Sequence, residues 1–160
     1  MRREFEHKHN TDNPDQIMRD PKGWLVDSSW PPSNYGLKAT EESASVRLII
    51  PGTVLSGDST KDIQIKSMGI TYMKAYSDQW KDSTLHVEIC SAGNNSTVNN
   101  TNLPLVVLGS GDYSGIHERK TSECYTEVLS IIGHQAGEDL NATLQMTGGN
   151  TFKIIALTFC

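Results

Sequence analysis

Ser59 is the residue whose immediate neighbours could make it a nucleophile. The chain reads Gly57-Asp58-Ser59, and a serine nucleophile needs a histidine base that a carboxylate orients. None of His86, His117 and His134 has an Asp three residues before it. We therefore predict that residues 57–62 form a hairpin turn. An esterase that uses Ser59 remains an alternative only.

The histidines and cysteines have no spacing that is typical of a metal site. Cys90, Cys124 and Cys160 include no C-x-x-C pair, the spacing found in zinc and thioredoxin-like sites. No metal and no other cofactor is predicted. In an oxidising compartment two of the three thiols could form a disulfide of open connectivity. Alternatively all three are reduced and Cys90 is a small core residue.

Trp80, Asp112 and Tyr113 are the candidate ligand-binding residues. Trp80 lies in the polar segment 77–82, where an exposed ring could stack on a sugar. Asp112 and Tyr113 are predicted to lie in the same loop as His117, and the end loops of β-sandwiches often hold binding groups. Packing in the core or at a strand edge is the competing interpretation for each aromatic residue.

Four asparagines begin an Asn-x-Ser/Thr sequon, the acceptor of N-linked glycans: Asn94, Asn95, Asn99 and Asn141. The first three fall in one polar loop. They indicate a chain of the secretory pathway, although a loop rich in Asn, Ser and Thr also produces such matches by composition alone.

Two-residue alternation of apolar and polar residues is the main structural signal after residue 22. In 85–90, Leu85, Val87 and Ile89 alternate with His86 and Glu88, which predicts a strand with one buried and one solvent-facing side. About eight or nine such segments are separated by turn residues. The last two, 140–146 and 151–159, are predicted to form a hairpin. The pattern predicts an all-β, two-sheet antiparallel β-sandwich of the jelly-roll kind.

Composition agrees with this fold class. Val, Ile and Thr total 34 of the 160 residues, against 7 Ala, a balance that favours strands. The net charge of −5 argues against a nucleic-acid surface, and no apolar run reaches the length of a transmembrane helix. Residues 1–22 carry ten charged residues and are predicted to be a flexible tail, followed by the sandwich domain at 23–160.

Three segments resemble parts of a known protein region. They are Lys22-Gly23-Trp24, the strand segment Ile70-Thr71-Tyr72-Met73-Lys74-Ala75-Tyr76, and Thr151-Phe152-Lys153-Ile154-Ile155-Ala156-Leu157. Their order resembles the C-terminal β-rich region of algal and plant SGNH-hydrolase-like (GDSL-type) secretory proteins. That region opens with Lys-Pro-Gly-Trp, whereas this chain has Pro21-Lys22-Gly23-Trp24. The resemblance implies an accessory β-sandwich without the catalytic domain, and it transfers no catalytic residue.

The functional prediction is a non-catalytic β-sandwich module, extracellular or in the secretory pathway, that binds a carbohydrate or a glycoprotein partner. This chain has no signal peptide at its start, so either it is not secreted as written or Met1 is not the native start. Two alternatives stay open. The chain could be a structural or assembly subunit of a surface layer, fibre or viral shell, in which case an oligomer is expected. It could also be an SGNH-type esterase that uses Ser59.

Overall fold

The structure, a computed structural model, describes residues 18–27, 35–56, 59–92 and 105–160. Twelve strands form in these residues. They are β1 (Met18–Lys22), β2 (Trp24–Asp27), β3 (Gly36–Ala39), β4 (Ser45–Ile50), β5 (Thr53–Ser56), β6 (Ser59–Asp62), β7 (Ser67–Lys74), β8 (Thr84–Ser91), β9 (Val107–Ser114), β10 (Glu123–Ser130), β11 (Leu140–Gly148) and β12 (Phe152–Phe159). A short 3-10 helix covers Asp78–Trp80. No helix of the described residues has the length and hydrophobicity needed to cross a membrane.

The strands form two five-stranded antiparallel sheets. The front sheet has the order β1-β4-β11-β8-β9, and the back sheet has the order β10-β7-β12-β3-β2. Eight of these strands form a jelly roll, in which β4-β11-β8-β9 of the front sheet faces β3-β12-β7-β10 of the back sheet. The all-β sandwich prediction is therefore confirmed. The count of eight or nine was too low, because it did not include the short strands β1 and β3 or the hairpin strands β5 and β6.

The core lies between the two sheets and follows from the alternation in the sequence. Each central strand turns its apolar residues inward, and their side chains are almost fully buried. From the front sheet these are Val46, Leu48, Ile50, Leu85, Val87, Ile89, Leu140, Leu144 and Met146, and from the back sheet Met68, Ile70, Tyr72, Phe152, Ile154 and Leu157.

The last two strands do not form the predicted hairpin. β11 pairs with β4 and β8 in the front sheet, whereas β12 pairs with β3 and β7 in the back sheet. The turn between them crosses from one sheet to the other, with Gly149 at φ +66°, a conformation that glycine adopts without strain. The sequence pattern of a short Gly-rich turn between two apolar strands is the same for a crossover and for a hairpin, because in both cases each strand buries one face in the same core.

The sandwich begins before the predicted boundary at residue 23. Met18–Lys22 form β1, which pairs with β4 at the edge of the front sheet. A polar segment can form an edge strand because four of its five residues face solvent. The remainder of the predicted tail, residues 1–17, lies outside the described residues.

Contacts between the sheets also close one side of the sandwich. The amide of Ile132 donates to the carbonyl of Leu108 at 2.9 Å. A Cβ on Gly109 would lie 2.5 Å from the carbonyl oxygen of Ser130, so only glycine permits this approach. Edge strand β9 of the front sheet is thereby joined to the chain leaving edge strand β10 of the back sheet.

Candidate binding groove on the front sheet

The outer face of the front sheet carries polar side chains in register across its central strands. Arg47 on β4 lies opposite Thr143 on β11, and Thr143 lies opposite Glu88 on β8. The alternation that buries Leu48, Leu144 and Val87 forces these neighbours to the other face. Because strands in a sheet are about 4.8 Å apart, the three side chains form one continuous row.

An open groove of about 310 Å³ runs over this face. It is lined by Asp20, Ser45, Arg47, Glu88, Cys90, Leu105, Asn141 and Thr143. β11 supplies the floor, since it is the middle strand of the sheet. Its outward side chains, Asn141, Thr143 and Gln145, offer amide and hydroxyl groups that both donate and accept hydrogen bonds.

Charge is divided across the groove. On the β1–β4 side, a guanidinium nitrogen of Arg47 lies 3.3 Å from a carboxylate oxygen of Asp20, and both side chains are more than half exposed. Arg19 lies opposite Arg47 on β1. On the β8 side, the Glu88 carboxylate faces the groove. An exposed ion pair such as Arg47–Asp20 contributes little stability and can be opened by a competing ligand.

His86 and Asp112 form a second polar pair on the same face, one strand further along. Nδ1 of His86 lies 2.7 Å from Oδ1 of Asp112, and the two residues are opposite each other on β8 and β9. Of the three predicted ligand-binding residues, Asp112 is therefore the one that the structure places on this exposed face.

Trp80 and Tyr113 are not exposed. Trp80 ends the 3-10 helix and is buried, whereas the polar residues on either side of it are exposed. Tyr113 lies opposite Leu85 and points inward, where its ring packs edge-on against Tyr72 at 5.7 Å between centroids. The expectation of exposed rings was wrong for both, because a polar neighbourhood in the sequence does not determine where a single aromatic residue points.

The cysteines do not form the disulfide considered above. All three are free, with Cys90 buried and Cys124 and Cys160 exposed. Cys90 is on the front sheet and Cys124 on the back sheet. Burial, together with a hydrogen bond to Glu88, raises the pKa of the Cys90 thiol to about 11.

We expect Cys90 to react with iodoacetamide about 100-fold more slowly than a thiol of ordinary pKa at pH 8, because only the thiolate reacts. Its rate should rise steeply towards pH 10 as the thiolate fraction grows. Peptide mass spectrometry after timed labelling measures the rate at each cysteine, with exposed Cys124 as the internal control. Equal rates at Cys90 and Cys124 at pH 8 would contradict the burial of the Cys90 thiol.

A second open cavity, of about 480 Å³, lies at one end of the sandwich and is lined by Tyr76, Ile116, His117, Glu118 and Lys120. The loop between β9 and β10 is held here by two main-chain hydrogen bonds. The amide of Ala75 donates to the carbonyl of Gly115, and the amide of His117 donates to the carbonyl of Ala75. Nearby, Tyr125 and Thr121 donate to Glu123, which lowers the pKa of Glu123 and raises that of Tyr125. This is the loop carrying His117 that the sequence indicated as a candidate binding loop.

Ser59 lies in the exposed hairpin β5–β6, opposite Ser56, so a hairpin is present, but residues 59–62 belong to strand β6 and not to the turn predicted over 57–62. Its hydroxyl donates to the main-chain carbonyl of Ser56 at 3.2 Å. The other two residues of the motif, Gly57 and Asp58, lie outside the described residues.

Among the described residues, no group of three or more His, Cys, Asp and Glu side chains is placed to hold a metal ion. Of the sequons, Asn141 lies in the groove, and Asn94, Asn95 and Asn99 lie outside the described part of the chain.

No protein-family model and no curated protein matches the chain. Solved structures do match it. TmCBM61, solved in complex with β-1,4-galactotriose, is 12% identical with a TM-score of 0.50, over 89% of this chain and 87% of that one. The non-crystalline cellulose-specific carbohydrate-binding module CBM28 is 8% identical with a TM-score of 0.50, over 91% and 88%. The chain shares their β-sandwich fold.

Sequence reasoning did not select Arg47, Glu88 or Thr143 as site residues. Each is an ordinary outward residue of an alternating strand, and any two of them are between 41 and 96 residues apart along the chain. The signal that could have indicated them was the central strand β11, whose outward residues are all hydrogen-bonding groups. It becomes informative only when the neighbouring strands are known.

Proposed function

We propose that the protein is a non-catalytic carbohydrate-binding module that holds a glycan chain along the groove of the front sheet. The observation that carries the proposal is the row Arg47–Thr143–Glu88 with Asn141 beside it, a set of hydrogen-bonding side chains on a rigid central sheet. Sugar hydroxyls both donate and accept hydrogen bonds, so carboxylate, amide and guanidinium groups in one open groove match their chemistry.

Two further points support the proposal. Solved carbohydrate-binding modules share the fold, and the segments around Trp24, Tyr72 and Ile154 resemble the accessory region of SGNH-hydrolase-like secretory proteins. Action outside the cell or in the secretory pathway is part of the same proposal, since most glycan chains that such a module could bind are found there.

The groove also suggests how the glycan is held. No aromatic residue is among the described residues that line it, so hydrogen bonds and charge have to supply the affinity that ring stacking provides elsewhere. Arg47, with Arg19 opposite on β1, could take up a carboxylate of an acidic sugar. A panel of ligands should therefore include polygalacturonate beside neutral β-1,4-galactan and a soluble cellulose derivative.

Isothermal titration of the bacterially produced chain against this panel tests the proposal. We expect Arg47→Gln and Glu88→Gln each to weaken binding about 10-fold, since a hydrogen bond to a charged group contributes about 1.5–3 kcal/mol. Lys61→Gln and Glu42→Gln remove matched charges from exposed positions that do not line the groove and should leave the affinity unchanged. Absence of binding to every polysaccharide, or equal losses in the control variants, would refute the proposal.

A further inference from the structure

The sequon of Asn141 coincides with the groove. Asn141 and Thr143 both line it, and Ala142 between them points into the core and is fully buried. The strand alternation therefore places the two residues that define the sequon on the outer face of β11. A sugar attached to Nδ2 of Asn141 would therefore begin within the groove.

We propose that Asn141 is an N-glycosylation site and that the attached glycan occupies the groove, so that the glycosylated chain excludes an external ligand. The exclusion of a ligand rests on the proposed function, whereas the attachment and the occupancy of the groove do not. The protein would then exist in two forms: an unmodified form that binds an external ligand, and a glycosylated form whose groove holds its own glycan.

The covalent step is a transfer from a polyprenyl diphosphate-linked oligosaccharide, the donor of the secretory pathway. The bond between Nδ2 of Asn141 and C1 of the first sugar forms, the bond from C1 to the diphosphate oxygen breaks, and the amide loses one proton. The lipid diphosphate leaves. Because Asn141 is held on both sides by β4 and β8, the transfer has to precede closure of the front sheet, while this segment is still an accessible extended chain.

The folded sheet can accommodate the product. Asn141 is half-buried on the outer face, so the modified side chain displaces nothing in the core. Ile49 and Cys90 are opposite it on the neighbouring strands, and Arg47 and Glu88 are in the next row. A groove of about 310 Å³, at the lower end of the volumes that hold small ligands, has room for the first sugars of the glycan, and the remaining sugars extend beyond it.

The experiment compares the full chain made in a eukaryotic secretory host, behind an added signal peptide, with the same chain made in bacteria. Peptide mass spectrometry measures occupancy at each sequon. We expect Asn141 to be occupied and the secreted form to bind the polysaccharide found for the bacterial form at least 10-fold more weakly. Each variant is compared only with itself between the two hosts: Thr143→Ser keeps the sequon and should keep the weaker binding of the secreted form, whereas Thr143→Ala and Asn141→Gln should remove the difference between hosts.

A second readout does not depend on an external ligand. Cys90 lies opposite Asn141 in the groove, so a glycan there should slow iodoacetamide labelling of Cys90 at pH 10 several-fold in the secreted wild type, but not in secreted Thr143→Ala. An unmodified Asn141 in the secreted protein would overturn the inference, as would occupancy with unchanged labelling of Cys90. If the bacterial form binds no polysaccharide while Cys90 is protected, the proposed function fails and the glycan site stands.

Discussion

Tyr72→Ala is expected to lower the free energy of unfolding by about 4 kcal/mol, the range of large aromatic truncations in a core. Tyr72 is fully buried on β7. Its ring stacks on Phe152 with 5.3 Å between centroids and meets Tyr113 edge-on at 5.7 Å. Residues from both sheets therefore close around this one ring. Since small domains are stable by about 5–15 kcal/mol, the loss is a large fraction of the total.

Tyr72→Phe is the matched control because it keeps the ring and removes the hydroxyl. That hydroxyl donates to the carboxylate of Glu127, which is half exposed and also lies 3.9 Å from Nζ of Lys74. Water can replace the lost donor, so we expect a loss of only about 1 kcal/mol. Urea unfolding followed by tryptophan fluorescence measures both variants. A similar loss of unfolding free energy in Tyr72→Phe and Tyr72→Ala would show that the hydroxyl, rather than ring packing, provides the stability.

The same residue gives the protein a dependence on alkaline pH. Burial, followed by the hydrogen bond to Glu127, raises the pKa of Tyr72 above its ordinary value of 10.0. The folded chain keeps a proton that the unfolded chain releases, so this contribution to stability is complete below pH 10 and is lost as the pH rises further. Tyr72→Phe should reduce the slope of the unfolding free energy above pH 10. Part of the slope should remain in Tyr72→Phe, because burial also raises the pKa of Tyr113.

His134→Ala is expected to cost about 3 kcal/mol, the sum of a small cavity and a buried donor without an acceptor. Nδ1 of His134 accepts the main-chain N–H of Ile65 at 2.8 Å, and Nε2 donates to the carbonyl of Glu138 at 2.8 Å. The buried ring thus joins the segment before β7 to the connection between β10 and β11.

Urea unfolding and amide hydrogen exchange test this role. The exchange protection of the Ile65 amide should fall in His134→Ala by more than the global loss of stability accounts for, since its acceptor is gone. Gln135→Ala is the matched control, because Gln135 is the exposed neighbour whose amide bonds only to the carbonyl of Gly133, and it should change stability by less than about 0.5 kcal/mol. Unchanged protection of Ile65 in His134→Ala would rule out the proposed bridge.

The candidate site could be predicted from the sequence only in part. The alternation in 85–90 correctly predicts that His86 and Glu88 lie on the solvent side of their strand, and the sequence also indicated Asp112, which lies opposite His86 on the same face. Arg47, Glu88 and Thr143 meet only because β4, β8 and β11 become neighbours in the front sheet. No local pattern carries that pairing, so the groove could not be located from the sequence.

What the sequence determined by itself is which face of the alternating strands β4, β8 and β11 is buried. Val46 and Leu48, Leu85 and Val87, and Leu140 to Met146 alternate with polar residues, and this local periodicity fixes the inward side whichever strands are neighbours. Only the tertiary structure decided that β11 and β12 enter different sheets, that Trp80 and Tyr113 turn inward, and that Met18–Lys22 complete an edge. These outcomes depend on contacts between segments distant in the chain, because both sheets bury the same kind of residue in one shared core.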